Sequence, residues 1–504
     1  MSDEVDAANA IVPMGEPSAK APRGVSRPRE VAGWVLAVIV VIAVVFGVGA
    51  VVLMNVMPDK MLIPAILLDA ALGIFVAILL LTSKDVGRRT RFIVASVLAV
   101  LLVAGNLALL KVGTDFRGVI TDVQAPAVDT VQYDIVVPVT GSDDPAALKG
   151  LTMAEVTGDP NQLTVHDNIA QLVGEVTFVP QPDWPTAVDA LVTGTVPSMC
   201  IQDGYMQIYA DADADKYSTL KIIASFQVPG TDSAWQGQPA PALPVGADKP
   251  FIVYISGVDT SGSIAKRSRS DVNQLMVVNP TTGKVLLVNT PRDYYVQLAG
   301  TTGLRDKLTH AGVYGINVSI GTMDYLYGIN IDYYVRLNFT SLVTIVDDIG
   351  GIDVDSPEAF TTTYGNYQIV KGINHLNGAQ ALAFARERHA FSTGDRQRGV
   401  DQQLVITAII KKVTQPSVLV NYPSFLSDIQ SAIQTSMPAD AISAQIKQQL
   451  QRGRSWKIDT YSVNGSDSSQ YTYSYPHQKL YVMVPDQSTV ETAKKKIAAV
   501  MAGK

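Results

Sequence analysis

Residues 250–293 read PFIVYISGVDTSGSIAKRSRSDVNQLMVVNPTTGKVLLVNTPRD. Residues 251–255 are apolar throughout, as in a strand covered on both faces. Residues 274–279 and 285–289 form two more β-rich runs, and Thr281-Thr282-Gly283 between them suits a hairpin turn. Charged side chains stand just outside these runs: Asp259 after the first, Arg267, Arg269 and Asp271 before the second, Arg292 and Asp293 after the third. If the first two strands are neighbours, Asp259 and Asp271 meet at one end of a sheet.

Downstream, the apolar period predicts a helix over 307–327, a strand over 333–337 and a helix over 340–349 closed by Gly350-Gly351. A strand follows at 352–354, then helices at 377–386, 397–413 and 488–500, with a late strand at 480–484. The expected fold class is α/β, a central mixed sheet flanked by helices over residues 250–504. Upstream, residues 230–250 carry Gly230, Gly237, Pro239, Pro241, Pro244, Gly246 and Pro250, a composition that marks a boundary. Before it, strand-like runs at 131–137 and 220–228 and a helical pattern at 186–196 point to a smaller α/β accessory domain over 120–245.

The N-terminal part has a different solvent. Residues 34–57, 61–82 and 92–110 are apolar and close to the ~20 residues that span a hydrocarbon core. Three transmembrane helices over 31–112 follow, after a polar tail of residues 1–30 expected to be disordered. Arg23, Arg27 and Arg29 precede the first span and Lys84, Arg88, Arg89 and Arg91 separate the second from the third. The positive-inside rule then puts the N-terminus in the cytoplasm and everything after Lys111 outside the plasma membrane.

The formal net charge of -7 argues against a general nucleic-acid binder, which needs a broad basic face. One cysteine, Cys200, excludes an internal disulfide. An anionic ligand must therefore be met by a local cluster. Two carboxylates without neighbouring His or Cys suit magnesium, or manganese, far better than zinc. Arg292 after Pro291, Arg386 and Arg388 on either side of Glu387, and Arg398 in G-D-R-Q-R can match phosphate oxygens bidentately. The plainer alternative is a set of surface ion pairs with Glu387, Asp293 and Asp395, each worth ~0–1 kcal/mol.

The ordered set of motifs resembles the LytR-CpsA-Psr family. The resemblance rests on G-V-D ending at Asp259, R-S-D ending at Asp271, N-T-P-R-D ending at Asp293, the L-N-G-A-Q-A-L-A-F-A-R-E-R run ending at Arg388, and G-D-R-Q-R ending at Arg398 before Gln402-Gln403. It implies a membrane-bound phosphotransferase that moves a glycopolymer, such as capsule or teichoic acid, from a polyprenyl-diphosphate carrier onto peptidoglycan. It further implies that Asp259 and Asp271 hold the metal, while Arg269, Arg292, Lys307, Arg386, Arg388 and Arg398 clamp the diphosphate. Asp259, Asp271, Arg292 and Arg388 would then be catalytic, with Gln402 a polar contact and Asp293 and Asp395 in support. Asp401 departs from the family's pattern, which often has Arg there.

Water in place of the sugar acceptor would make the same site a pyrophosphatase. A second function class is a non-catalytic lipid-diphosphate scaffold or cell-envelope regulator, such as a transcription attenuator. The lipid tail needs an apolar compartment, for which the candidates are residues 251–255, Leu326, Val335, Phe339, Val343 and Ile345. His389 beside Arg388 reads as a polar surface residue, and a metal-linked carboxylate is the better proton acceptor. Asp211, Asp213 and Asp215 imitate a calcium loop, but Lys216 stands where Gly is required, so the run reads as a solvated turn.

Overall fold

The computed structural model describes residues 27–54, 59–83, 89–124, 129–230, 248–258, 264–391, 394–415, 417–418 and 433–504. The expected tail up to residue 26, most of the expected 230–250 boundary, the cations Arg23, Lys84 and Arg88, and Asp259 lie outside these residues.

Three apolar helices come first, Arg27–Met54, Asp59–Thr82 and Arg89–Gln124. Each contains a stretch long and apolar enough to cross a membrane, at Pro28–Val52, Asp59–Thr82 and Arg89–Asp115. Their outward faces carry Leu, Ile, Val and Phe, as a lipid solvent requires. Asn106 donates to Asp69 at 3.2 Å, so the polar atoms of the second and third helices meet each other.

Residues 114–504 form a second compact unit with two principal sheets. The first sheet has the strand order 177–181, 152–156, 199–202, 130–138, 220–229. Residues 130–138 run antiparallel to both neighbours, and 152–156 is parallel to 177–181 and 199–202. Helices Gln162–Leu172, Trp184–Val192 and Asp203–Ala212 accompany it. Asp183 caps the second of these through the Thr186 amide.

The second sheet has the order 433–435, 333–337, 251–258, 270–279, 284–289, 457–462. Alternation along 251–258 divides its core. Ile252 and Tyr254 pack with Leu286 and Val288 against helices Ile316–Tyr327 and Gln487–Met501. Phe251 and Val253 pack with Leu287 and Tyr333 against Ile406 and Ile410 of helix Asp395–Val413 on the other face. Both faces are covered, which is why the sequence shows a continuous apolar run instead of an alternating one.

The predicted elements are present with shifted ends, as strand and helix ends read from sequence commonly are. The exception is the helix expected over 307–327. It is a 3-10 turn at Leu308–Tyr314 and an α-helix at Ile316–Tyr327, separated by Gly315 at φ 110, outside any helical region. Helices Phe339–Asp348 and Gly378–Arg386 start in capping boxes, Asn338 with Ser341 and Asn377 with Gln380. Gly350 and Gly351 close the first of these at φ 75 and 80, as their pairing implies.

Candidate active site

Strand direction gathers the charged motifs. Strands 251–258, 284–289 and 457–462 all end at the same sheet edge, because 284–289 is two antiparallel steps from 251–258 and 457–462 runs parallel to it. Strand 270–279 runs the other way and begins there, with Val258 opposite Ser270 and a bulge at that point. Arg269, Asp271 and the T-P-R-D turn therefore share one end of the sheet. Residue separations of tens of positions collapse into one locus.

Asp271 is the centre of that locus. Its carboxylate accepts from Arg292 Nη1 at 2.9 Å and from the Thr309 hydroxyl at 3.0 Å. Burial by itself would raise its pKa, but Arg292, Arg398 and Arg269 with the Thr309 hydrogen bond outweigh it and hold the carboxyl well below the usual range. The group stays charged because three guanidinium side chains surround it.

A cavity of about 240 Å³ opens beside Asp271. Arg269, Arg292, Arg386, Arg388, Arg398 and Gln402 line its polar part, and Ile255, Val258, Leu337, Phe339, Leu342, Leu382, Val405 and Ile406 its apolar part. Helix Asp395–Val413 supplies Arg398, Gln402, Val405 and Ile406 from one face, at i, i+4, i+7 and i+8. The Arg386 guanidinium is held between the rings of Phe339 at 4.1 Å and Tyr364 at 4.5 Å. The Glu387 carboxylate accepts from the amides of Thr363, Arg388, His389 and Ala390, which fixes the loop after the helix. A second cleft of about 180 Å³ shares Asp271, Arg292, Arg398 and Gln402 and continues past Asn289, Thr290, Arg396, Ser462 and Asn464.

Of the residues singled out in the sequence, Arg269, Asp271, Arg292, Arg386, Arg388, Arg398 and Gln402 come together. Lys307 does not line either cleft. Its Nζ lies 3.1 Å from Asp293 Oδ1, and Asp293 Oδ2 lies 3.5 Å from Arg292 Nε, so Lys307 reaches the site through Asp293. Asp395 opens the helix, and its side chain is outside the described atoms. Asp401 is buried, accepts from Gln397, and lines neither cleft. Burial, with Glu387 and Glu358 nearby, pushes its carboxyl up to about 7, so it does not place a full negative charge against the arginines.

Two readings need correction. Among the lipid candidates, Ile255 and Phe339 line the cavity, whereas Leu326 and Val335 pack into the core on either side of the sheet and Val343 and Ile345 do not reach it. Leu337, Leu342, Leu382, Val405 and Ile406 take their place, a set visible only once the strand and helices are assembled. His389 is exposed, as expected, and also lines the cavity. Asp211 is no solvated turn: it lies in helix Asp203–Ala212, lines the same cavity and accepts from Arg269 Nη1. Nothing local in the sequence signals this, since the two residues are 58 positions apart and belong to different sheets.

The LytR_cpsA_psr family profile matches residues 210–496, more than half of the chain. The chain belongs to this family. The matched segment takes in every strand of the six-stranded sheet and Asp211 as well. The LytR_cpsA_psr chain is 31% identical over 233 residues to a Bacillus mycoides (strain KBAB4) protein named polyisoprenyl-teichoic acid--peptidoglycan teichoic acid transferase TagU, covering 45% of this chain and 75% of that one. A Bacillus anthracis (strain CDC 684 / NRRL 3495) protein of the same name is 34% identical over 197 residues, 39% of this chain and 63% of its own length. Among solved structures, B. subtilis TagV is 28% identical, with a TM-score of 0.44 over 51% of this chain and 98% of that one.

Proposed function

We propose that the protein is a membrane-anchored phosphotransferase that moves a glycopolymer from a polyprenyl-diphosphate carrier to peptidoglycan. The observation that carries this reading is one cavity lined by both guanidinium groups and apolar side chains. An amphiphile with a diphosphate head and a hydrocarbon tail fits such a cavity. Burial contributes ~0.8 kcal/mol per methylene, so even part of the tail would anchor the donor. The three apolar helices agree with a lipid substrate and a membrane lipid environment, with the N-terminus cytoplasmic and residues 114–504 outside. The relatives' names, teichoic acid transferases, support the polymer class.

In this mechanism a peptidoglycan sugar hydroxyl forms a bond to the phosphorus nearer the polymer. The bond from that phosphorus to the bridging oxygen breaks, polyprenyl phosphate leaves with the electron pair, and the hydroxyl proton passes to a carboxylate or solvent. Arg292, Arg386, Arg388 and Arg398 neutralise the phosphate oxygens and hold them in line, which is most of what phosphoryl transfer asks of a protein. Arg269 adds a fifth cation, and Lys307 with Asp293 steadies Arg292.

Magnesium suits the donor chemistry present. Asp271 stays ionised and has two of its ~four acceptor positions occupied by Arg292 and Thr309. Among the described residues no group of three His, Cys, Asp or Glu could hold a metal unaided. Magnesium commonly takes one or two carboxylates and completes its shell with water and phosphate oxygens. Asp259 and Asp271 would hold it, and when bound it would offset charge on the diphosphate.

The test is incubation of the detergent-solubilised protein with a polyprenyl-diphosphate sugar, magnesium and an oligomeric peptidoglycan acceptor. Glycosylated acceptor and free polyprenyl phosphate are the expected products. Tight donor binding with no release under any of these conditions would make the protein a scaffold and overturn the enzyme reading.

A further inference from the structure

Beyond the first cavity, the hairpin of strands Gly465–Tyr471 and Lys479–Pro485 leaves Asp467, Ser469, Tyr471, Lys479 and Tyr481 exposed on one face. Residues 480 and 482 point into the protein, with Leu480 and Val482 buried. The opposite side of the pair reads, rung by rung, Asp467 beside Met483, which is itself buried in the core, Tyr481 with Ser469, and Lys479 with Tyr471. Tyr471 and Tyr481 are 45% and 49% exposed, large values for aromatic rings. They lie on a cross-strand diagonal, a separation of ~7–8 Å.

This ribbon is continuous with the second cleft. Met483 on the first rung and Arg396 both line that cleft, and Arg396 Nη2 lies 3.1 Å from Asp467 Oδ1. The Tyr481 hydroxyl donates to the same Asp467 oxygen at 2.9 Å. Lys479 Nζ stands 5.7 Å from the Tyr471 ring, and Lys307 Nζ 5.9 Å from the Tyr481 ring. From Asp467 to Tyr471 the exposed ribbon runs ~14 Å, the length of a short oligosaccharide.

The two clefts share Asp271, Arg292, Arg398 and Gln402. The first adds Leu337, Phe339, Leu342 and Leu382, and the second adds Asn289, Thr290, Ser462 and Asn464 beside Pro291, Val400, Val463 and Met483. If the lipid tail takes the first, the acceptor must approach Asp271 and Arg292 through the second. An aromatic ring presents an apolar face to the C–H face of a pyranose, while its hydroxyl and flanking polar groups reach the sugar hydroxyls. Two rings a few ångströms apart, edged by Asp467, Ser469 and Lys479, offer that pattern along a line that ends at the site.

We propose that the Tyr471–Tyr481 face of this hairpin binds the acceptor glycan chain and feeds its hydroxyl into the second cleft. This rests on the phosphotransferase reading and names the surface by which that site takes its second substrate. A protein partner on the same face is the competing occupant.

The experiment measures binding of a β-1,4-linked N-acetylglucosamine hexamer to the full-length protein in detergent. The Tyr471→Ala/Tyr481→Ala double variant should lose at least ~10-fold in affinity, as for removal of stacking side chains elsewhere. Tyr471→Phe/Tyr481→Phe keeps the rings and should stay within a few-fold of wild type, which separates loss of stacking from misfolding. No hexamer binding by the wild-type protein, or equal affinity in wild type and the Ala variant, would overturn the proposal and favour the protein partner. Wild-type binding of farnesyl diphosphate, followed alongside, reports on the donor cavity. Its absence would count against the donor reading, and the glycan result stands separately.

Discussion

Arg269 donates from Nη1 to the carboxylate of Asp211, joining the start of a strand in the six-stranded sheet to the end of a helix that belongs to the five-stranded sheet. The upstream layer therefore contributes a charge to the cavity and is more than a spacer. Lys266 with Asp203 at 2.7 Å, and the Trp184 indole donating to the Ser474 carbonyl at 2.8 Å, hold the same two layers together.

Asp211 occupies a guanidinium that, on the proposed function, an incoming diphosphate would use. Asp211→Asn should lower the KM for the lipid-diphosphate donor by ~2–5-fold, the range of a partly exposed ion pair of up to ~1 kcal/mol, with kcat little changed. A higher KM in steady-state assays would show that Asp211 instead orients Arg269 for the donor.

Asp401 gives a stability signature. Unfolded, its carboxyl ionises near pH 4, whereas in the fold burial pushes it up to about 7. Between those values the folded state holds an extra proton, so stability from this group is greatest below the unfolded pKa and falls as pH rises towards 7. Asp401→Asn should raise the melting temperature by several degrees at pH 7.5, and the gain should vanish near pH 4. A pH-independent difference in melting scans would contradict this origin.

Glu387 tests the loop that carries Arg388. Its carboxylate accepts four backbone amides and the Thr363 hydroxyl, and these bonds hold its pKa down despite burial. Glu387→Gln replaces an acceptor oxygen with an amide that faces donors. Unfolding should cost ~1–3 kcal/mol less than in wild type, measured by denaturant titration. Unchanged stability would mean that the loop is held by other contacts.

Much of this was legible because it is local. The both-face burial of 251–255, the Thr281–Gly283 turn and the Gly350-Gly351 closure are written in adjacent residues. The edge strand Lys457–Ser462 and the strand Gly465–Tyr471 are mostly polar, so they carry little apolar signal and escaped the reading. The motif arginines could be gathered because each sits at an element end, whereas Asp211, Leu342 and Val405 enter the cavity only through packing between elements. Lys307 shows the converse: a cation near the motifs in sequence that pairs with Asp293 and does not line the cleft.

The central claim is that guanidinium groups around Asp271 receive the donor diphosphate. Its most direct test is the single-turnover rate of polyprenyl phosphate release from a polyprenyl-diphosphate sugar by Arg292→Ala against wild type. A loss of ~10²-fold or more is expected, as for removal of one preorganised charge-stabilising donor. Release at the wild-type rate would contradict the account.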